Sequence, residues 1–245
     1  MNRIIRCLMI ILLIVSIASC SSESKVAQKQ VKKDKKEIEF EEKIRQLIEN
    51  KEDLNKQDKV GLTMLMWACI YNYVDSVSLL LANGANPNLK AKDGSTALHN
   101  TISTGVVKQE KKERQQEILK LLIEKGAEVN IRDKIVGKTP LHKAARYGRV
   151  DLCQILVDNG ADVNARTTAG TTPLHWGAEE GYYKVVQFLL ENGANVNSKN
   201  VNGDTPLSYA LKRECEKLYK SEPDLYEDAD YDKTIDILQK HGARE

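Results

Sequence analysis

The stretch TPLHKAARYGRVDLCQILVDNGADVN, residues 139–164, decides how the rest of the chain reads. Thr139 carries a hydroxyl that can cap a helix, and Pro140 suits the first helical position, where a missing N–H costs nothing. Gly148, nine residues after the threonine, supplies the left-handed conformation that ends such a helix and that other residues resist. Cys153, Leu156 and Val157 then follow at i, i+3 and i+4, the stripe of a second amphipathic helix. Two helices of this length cannot enclose their apolar faces alone, so the unit needs copies of itself on either side.

The copies are present. TMLMWA at 63–68, TALHNT at 96–101, TPLHKA at 139–144, TPLHWG at 172–177 and TPLSYA at 205–210 begin 33, 43, 33 and 33 residues apart. Asn72, Gly105, Gly148, Gly181 and Glu214 stand nine residues after each threonine. A second phrase follows four of them: LLLANGANPN at 79–88, LLIEKGAEVN at 121–130, ILVDNGADVN at 155–164 and FLLENGANVN at 188–197. The apolar stripes are Val77, Leu80 and Leu81; Leu119, Leu122 and Ile123; Cys153, Leu156 and Val157; and Val186, Leu189 and Leu190. Period and phrase together resemble the ankyrin repeat family, and the resemblance covers residues 58–245. The fold expected is all-α, an ankyrin repeat solenoid of stacked helix-turn-helix units joined by hairpin loops, with repeats at 58–90, 91–133, 134–166, 167–199 and 200–245.

LIENKEDLN at 47–55 lies 33 residues before LLANGANPN and reads as the back of a degenerate half repeat, 38–57, with a helix from about Ile38. DKTIDILQKHGARE supplies the last helix. Two insertions depart from the period. Repeat two has nine extra residues within 106–117, expected to lengthen its second helix into solvent, and repeat five has sixteen within 215–232.

The N-terminus has a different character. Arg3 and Arg6 precede an unbroken apolar run from Leu8 to Val15, and small residues follow, the order of an export signal over 1–19. Ile17-Ala18-Ser19-Cys20 resembles the lipobox of bacterial lipoproteins, which implies cleavage before Cys20 and lipid on its thiol. Two or more acyl chains would anchor the protein stably, at about 0.8 kcal/mol per buried CH₂. Ser21 after the cysteine favours, by the same resemblance, the outer membrane facing the periplasm. From Cys20 to Glu37 the residues are too polar to build a core, and the segment reads as a disordered tether.

Composition excludes several functions. Once 1–19 is removed, with its two arginines, 35 basic side chains face 35 acidic ones, which gives no general electrostatic reason to bind nucleic acid. The five cysteines show no zinc spacing. Cys69 and Cys153, two repeats apart, are expected to be free, buried thiols. His99, His142 and His175 recur at one place in the repeat, but stacked helices lie roughly 8–10 Å apart, too far for one ion to bridge neighbours. Each is expected to hydrogen-bond within its own turn. Asp228-Ala229-Asp230-Tyr231-Asp232 starts like a calcium loop, yet Lys233 and Gln239 replace the glycine and acid such a loop requires. No cofactor and no catalytic set is indicated, although an enzyme or calcium site in 215–232 and a purely structural spacer stand as alternatives.

What remains is a protein-binding module, monomeric and held to a membrane by its lipid, whose partner is a protein it scaffolds or a toxin it neutralises. The family resemblance implies that turn tips and inner helices carry the contacts. Removing positions with a structural job leaves Val60, Leu62, Ile70 and Tyr71 in repeat one. Repeat three keeps Val136, Lys138, Arg146 and Tyr147. Repeat four contributes Glu179 and Glu180, and repeat five Val201 and Asp204. Tyr71, Val136 and Tyr147 are the expected anchors, since aromatic and apolar residues often dominate interfaces.

Overall fold

The computed structural model describes residues 35–102, 108–220 and 230–244. Cys20 with its lipobox, the tether up to residue 34, Gly105 and the acidic insertion at 221–229 lie outside the described residues. Two compact units divide between Phe40 and Glu41. The second, Glu41–Glu245, holds the repeats.

Among the described residues there are eleven helices and no strand. Helix α1 spans Lys35–Glu49. It begins three residues before Ile38, inside the stretch expected to be tether, because Lys and Glu are themselves good helix formers. The repeats then supply pairs: α2 (Met64–Tyr71) with α3 (Val74–Ala82), α4 (Ala97–Thr101) with α5 (Gln109–Glu124), α6 (Pro140–Arg146) with α7 (Val150–Asp158), α8 (Pro173–Glu179) with α9 (Tyr183–Glu191), and α10 (Pro206–Lys220) with α11 (Tyr231–Lys240). First helices pack on first helices and second on second, so the stack has an inner layer α2, α4, α6, α8, α10 and an outer layer α3, α5, α7, α9, α11. None of these helices is long and apolar enough to cross a membrane.

The caps form as the phrases require. The Thr63 hydroxyl accepts from the Met66 N–H at 3.3 Å, and Thr96, Thr139 and Thr172 form capping boxes with the histidine three residues on. Gly148 has φ +67°, and a Cβ there would meet the Tyr182 ring at 2.9 Å, so both conformation and space demand glycine. Asn72 holds the same role at φ +60°. In repeats one, three and four the carbonyl five residues after the threonine then accepts the N–H that closes the cap, Tyr73 to Ala68, Arg149 to Ala144 and Tyr182 to Gly177, each at 3.0 Å.

Repeat one buries the expected stripe, Val77, Leu80 and Leu81, whereas in repeats two to four the buried stripe is shifted from the expected one. Leu119, Leu122, Cys153, Leu156, Val186 and Leu189 are fully buried, but Ile123, Val157 and Leu190 are half-buried. Ile118, Leu152 and Val185, one position earlier, take their place at 0% exposure. Each second helix must face its own first helix and two neighbours, which turns the stripe toward the N-terminal side.

Both insertions are helical where described. The one in repeat two lengthens α5 to sixteen residues against nine in α3, α7 and α9. Its extra turns do not project freely. Arg149, 2% exposed, donates to Gln115 Oε1 and pairs with Asp151 at 2.6 Å, while Gln116 Nε2 donates to Asp151 at 2.7 Å. Burial alone would raise the Asp151 pKa, but these donors outweigh it and hold the carboxyl below its usual range. In repeat five, Glu214 does not end the first helix. Lacking a residue suited to φ > 0, α10 runs on to Lys220.

Candidate functional site

Three rows of side chains cross the repeats. The first is made of the histidines. In each capping box the threonine N–H donates to the imidazole Nδ1, at 3.3 Å for His99, 3.2 Å for His142 and 3.1 Å for His175. Nδ1 is therefore an acceptor, and Nε2–H donates onward to a carbonyl of the next repeat: Lys138 at 3.0 Å, Thr171 at 3.2 Å and Asp204 at 3.2 Å. The expected local bond is present, and a bond between repeats accompanies it. Burial lowers the pKa of His99 and His142 to about 4, the accepting carbonyl opposing this only in part. His175 shifts the same way for the same reason.

The second row is made of the asparagines that close the second phrase. Asn88 Nδ2 donates to the Gly126 carbonyl at 2.8 Å and its Oδ1 accepts from Glu128 N at 2.8 Å. Asn130 does the same to Gly160 and Asp162, Asn164 to Gly193 and Asn195, and Asn197 to Gly242 and Arg244. Asn55 Oδ1 begins the series by accepting from Asn86 N at 2.8 Å, tying the half repeat to repeat one.

The third row is varied. Four residues after each threonine stand Trp67, Asn100, Lys143, Trp176 and Tyr209. Their polar atoms lean toward the turns: Trp67 Nε1 donates to Asp58 Oδ2 at 2.9 Å, Trp176 Nε1 to Thr171 Oγ1 at 3.1 Å, and Asn200 Nδ2 to the Tyr209 hydroxyl at 3.1 Å. This row lines the angle between first helices and turn tips. Trp67 stacks on Tyr71 at 5.6 Å between centroids, and Tyr71 lies 5.5 Å from Tyr73. Trp176 is flanked by Lys138 Nζ at 5.0 Å and by the Arg146 guanidinium at 4.7 Å, a cation–π arrangement. Arg146 also pairs with Glu180 at 3.6 Å. Burial raises the Glu180 pKa, with Glu179 adding to the shift and Arg146 opposing it.

The expected binding residues fall on this face unevenly. Tyr71, Val60 and Val201 are exposed, at 48%, 55% and 70%, and Arg146 is exposed beside them. Leu62, Ile70, Lys138, Tyr147, Glu179, Glu180 and Asp204 are half-buried. Val136 is half-buried too, with its carbonyl accepting from Thr168 N at 2.9 Å. The neighbouring Ile135, 71% exposed, is the apolar side chain that protrudes at that tip. The turn here has one residue more than the others, and Asp133 Oδ1 organises it by accepting from Val136, Gly137 and Lys138 N–H. Asn100, Lys143 and the clamp on Trp176 were not foreseen. The signal for them is the most varied position inside the TPLHxA phrase, held by Trp, Asn, Lys, Trp and Tyr in turn.

A family profile for ankyrin repeats, three copies, matches residues 36–133 and 106–200. The chain belongs to the ankyrin repeat family. Among curated relatives, this ankyrin repeat chain is 36% identical over 109 residues to Protein PhlB of Serratia liquefaciens, covering 44% of each. Protein phosphatase 1 regulatory subunit 12A of Mus musculus is 44% identical over 80 residues, 33% of this chain and 7% of that protein. A putative ankyrin repeat protein of Rickettsia bellii is 35% identical over 110 residues, 45% of this chain and 31% of that one. The chain spans less than half the length of these relatives. Ankyrin repeats are protein–protein interaction modules, and of these relatives one is named as a regulatory subunit and one as a putative ankyrin repeat protein. Among the described residues no cluster of His, Cys, Asp or Glu could hold a metal ion. Cys69 and Cys153 are buried and free, and Cys215 is exposed. Burial pushes the Cys69 thiol up to about 12. Of the acids in the calcium-like run, Asp230 caps α11 by accepting from Lys233 N at 2.9 Å. Asp228 and Ala229 lie outside the described residues.

Proposed function

We propose that the chain is an ankyrin repeat module anchored by lipid on Cys20 to a bacterial envelope membrane, the outer membrane facing the periplasm. There, as a monomer, it binds one protein partner through its inner face. The observation that carries the binding face is the third row. Histidines and asparagines spend their hydrogen bonds between repeats, whereas the position four residues after the threonine varies among four residue types and gathers two tryptophans, a tyrosine, a lysine and an asparagine in one angle. Aromatic residues at such a place supply large contact area with little entropy to lose. The anchor rests on the IASC stretch and the apolar run before it. A partner that is an enzyme under restraint suits a relative whose name makes it a regulatory subunit of a phosphatase. Scaffolding of an envelope assembly is the other arrangement this surface permits.

The test is capture from detergent-solubilised membranes with three forms of the full chain. Tyr71→Ala with Tyr147→Ala should abolish recovery of the specific partner. Lys120→Ala with Gln154→Ala, both exposed on the outer layer, should not. If the outer pair weakens capture while the tyrosine pair leaves it intact, the face is misassigned. Cys20→Ala should stop incorporation of labelled fatty acid, and continued labelling would remove the anchor.

A further inference from the structure

This inference rests on the inner face as the partner-binding surface and names the chemistry that surface recognises. Two donors in the angle have unused capacity. Lys143 Nζ reaches back from α6 across the repeat boundary to donate to the His99 carbonyl. An ammonium has three N–H bonds, and no carboxylate pairs with this one among the described residues. Asn100, whose backbone directly follows that carbonyl, has a buried side-chain Nδ2 with no acceptor. A buried amide donor without a partner costs free energy that an incoming acceptor would recover.

The surroundings raise the demand for negative charge. Asp133 Oδ1 already serves three backbone N–H groups, and Asp93 Oδ1 serves Ser95 N. Lys138, over Trp176, adds a second cation near Lys143. Burial, reinforced by Lys138 and only partly opposed by Asp93 and Asp133, lowers the Lys143 amine to about 8, the direction of a cation short of counter-charge. One repeat away the surface changes character: Leu62, Trp67, Ile70 and Tyr71 carry no charge, and Tyr71 stands exposed on the Trp67 ring.

We propose that repeats two and three of the inner face recognise an acidic side chain of the partner, whose carboxylate accepts from Lys143 Nζ and Asn100 Nδ2 while an aromatic residue of the same extended segment lies on Trp67 and Tyr71. Stacked helices sit roughly 8–10 Å apart, and a segment extended as polyproline II rises about 3.1 Å per residue with three residues per turn, so that side chains three positions apart share a face. The aromatic residue therefore precedes or follows the acid by about three positions.

The experiment titrates the ¹⁵N-labelled full chain, in detergent micelles, with the peptide acetyl-Phe-Ala-Ala-Glu-Ala-amide and with its glutamine counterpart. The acidic peptide should shift the Asn100 side-chain amide and the Trp67 indole saturably. The glutamine peptide should bind at least tenfold more weakly, and Lys143→Met should erase the difference. Because the two peptides are compared on the unaltered chain, the result stands even if that variant folds poorly. Equal affinities, with the Trp67 indole moving and the Asn100 amide still, would overturn the acid preference and leave the face intact. Shifts confined to the outer helices around Lys120 and Gln154 would overturn the face as well. Absence of saturable shifts from either peptide at millimolar concentration overturns the acid site.

Discussion

The repeated rows and the varied row differ in what their side chains touch. His99, His142 and His175 occupy equivalent positions and make equivalent bonds to the following repeat, and so do Asn88, Asn130, Asn164 and Asn197. A bond that recurs from one interface to the next keeps the same residue wherever it forms, Met66 standing in the histidine's place in repeat one. At the varied position Trp67, Trp176 and Tyr209 bond to the turns, Lys143 reaches back to the His99 carbonyl and Asn100 Nδ2 has no acceptor, so the stack tolerates any of them there. Repetition therefore marks residues committed to stability, and variation at an equivalent position marks residues available for recognition.

Acidification should produce the largest effect on the repeated rows. The histidines are buried neutral and bind fewer protons in the folded state than in the unfolded chain, whose imidazoles have pKa values near 6.5. Stability is thus full above about pH 6.5, falls as pH drops through it, and has lost the contribution once pH passes about 4, the folded value for His99 and His142. The loss is about 3 kcal/mol for each of these two, and His175 adds to it. Urea midpoints at pH 7.5, 6, 5 and 4.5 measure this. A flat profile down to pH 5 would show that the row does not hold protonation-sensitive bonds.

A core truncation comes next. Leu156 and Leu189 are at 0% exposure in the outer layer, and replacing either by alanine removes methyl contacts and leaves a cavity, for about 2–5 kcal/mol. Equilibrium urea melts giving less than 1 kcal/mol for both would mean that the outer layer collapses around the change rather than packing as a stack.

The asparagine row should yield less, because its bonds lie at the surface. Asn130→Ala removes the contacts to Gly160 and Asp162 at 2.9 and 2.8 Å, and two net hydrogen bonds are worth about 1–2 kcal/mol. Asn202→Ala, at an exposed turn tip, should stay within about 0.5 kcal/mol. Equal effects from the two would erase the distinction between the asparagine row and ordinary surface.

Sequence and structure agree where the cause is local. A threonine followed by proline and histidine specifies its own capping box, and Gly148 ends its own helix, so the order and type of helices were legible from residue 58 onward. The disagreements arise where a neighbour decides. Gln115 and Gln116 look like part of a polar extension until Arg149 and Asp151 of the next repeat are placed beside them. Ile118, Leu152 and Val185 are buried because the second helix contacts three partners rather than one. The asparagine in each GAxxN phrase was plainly repeated, but its job is visible only when the glycine of the following repeat arrives. On the proposed binding face, elimination of structural positions leaves Tyr71 and Arg146, which are exposed, whereas Lys143 and Asn100 were passed over because they sit inside the very phrase that identifies the repeat.

Lys143 sharpens the comparison most, since its expected cost to the fold is the smallest. Replacing it with methionine keeps most of the alkyl stem and removes an ammonium that burial already disfavours. The change also frees the His99 carbonyl from one donor. Losing that bond costs about 1 kcal/mol, whereas burial that lowers the amine to about 8 costs the folded state about 3 kcal/mol at pH 7, and the change relieves it. No net loss of urea stability is therefore expected at pH 7. At pH 9, where the lysine amine of the unaltered chain is largely neutral, the two proteins should differ less in the electrostatic part. A loss of 2 kcal/mol or more at either pH would place Lys143 with the histidines and asparagines as a structural residue. The varied row would then be divided, and only its aromatic members would remain free for a partner.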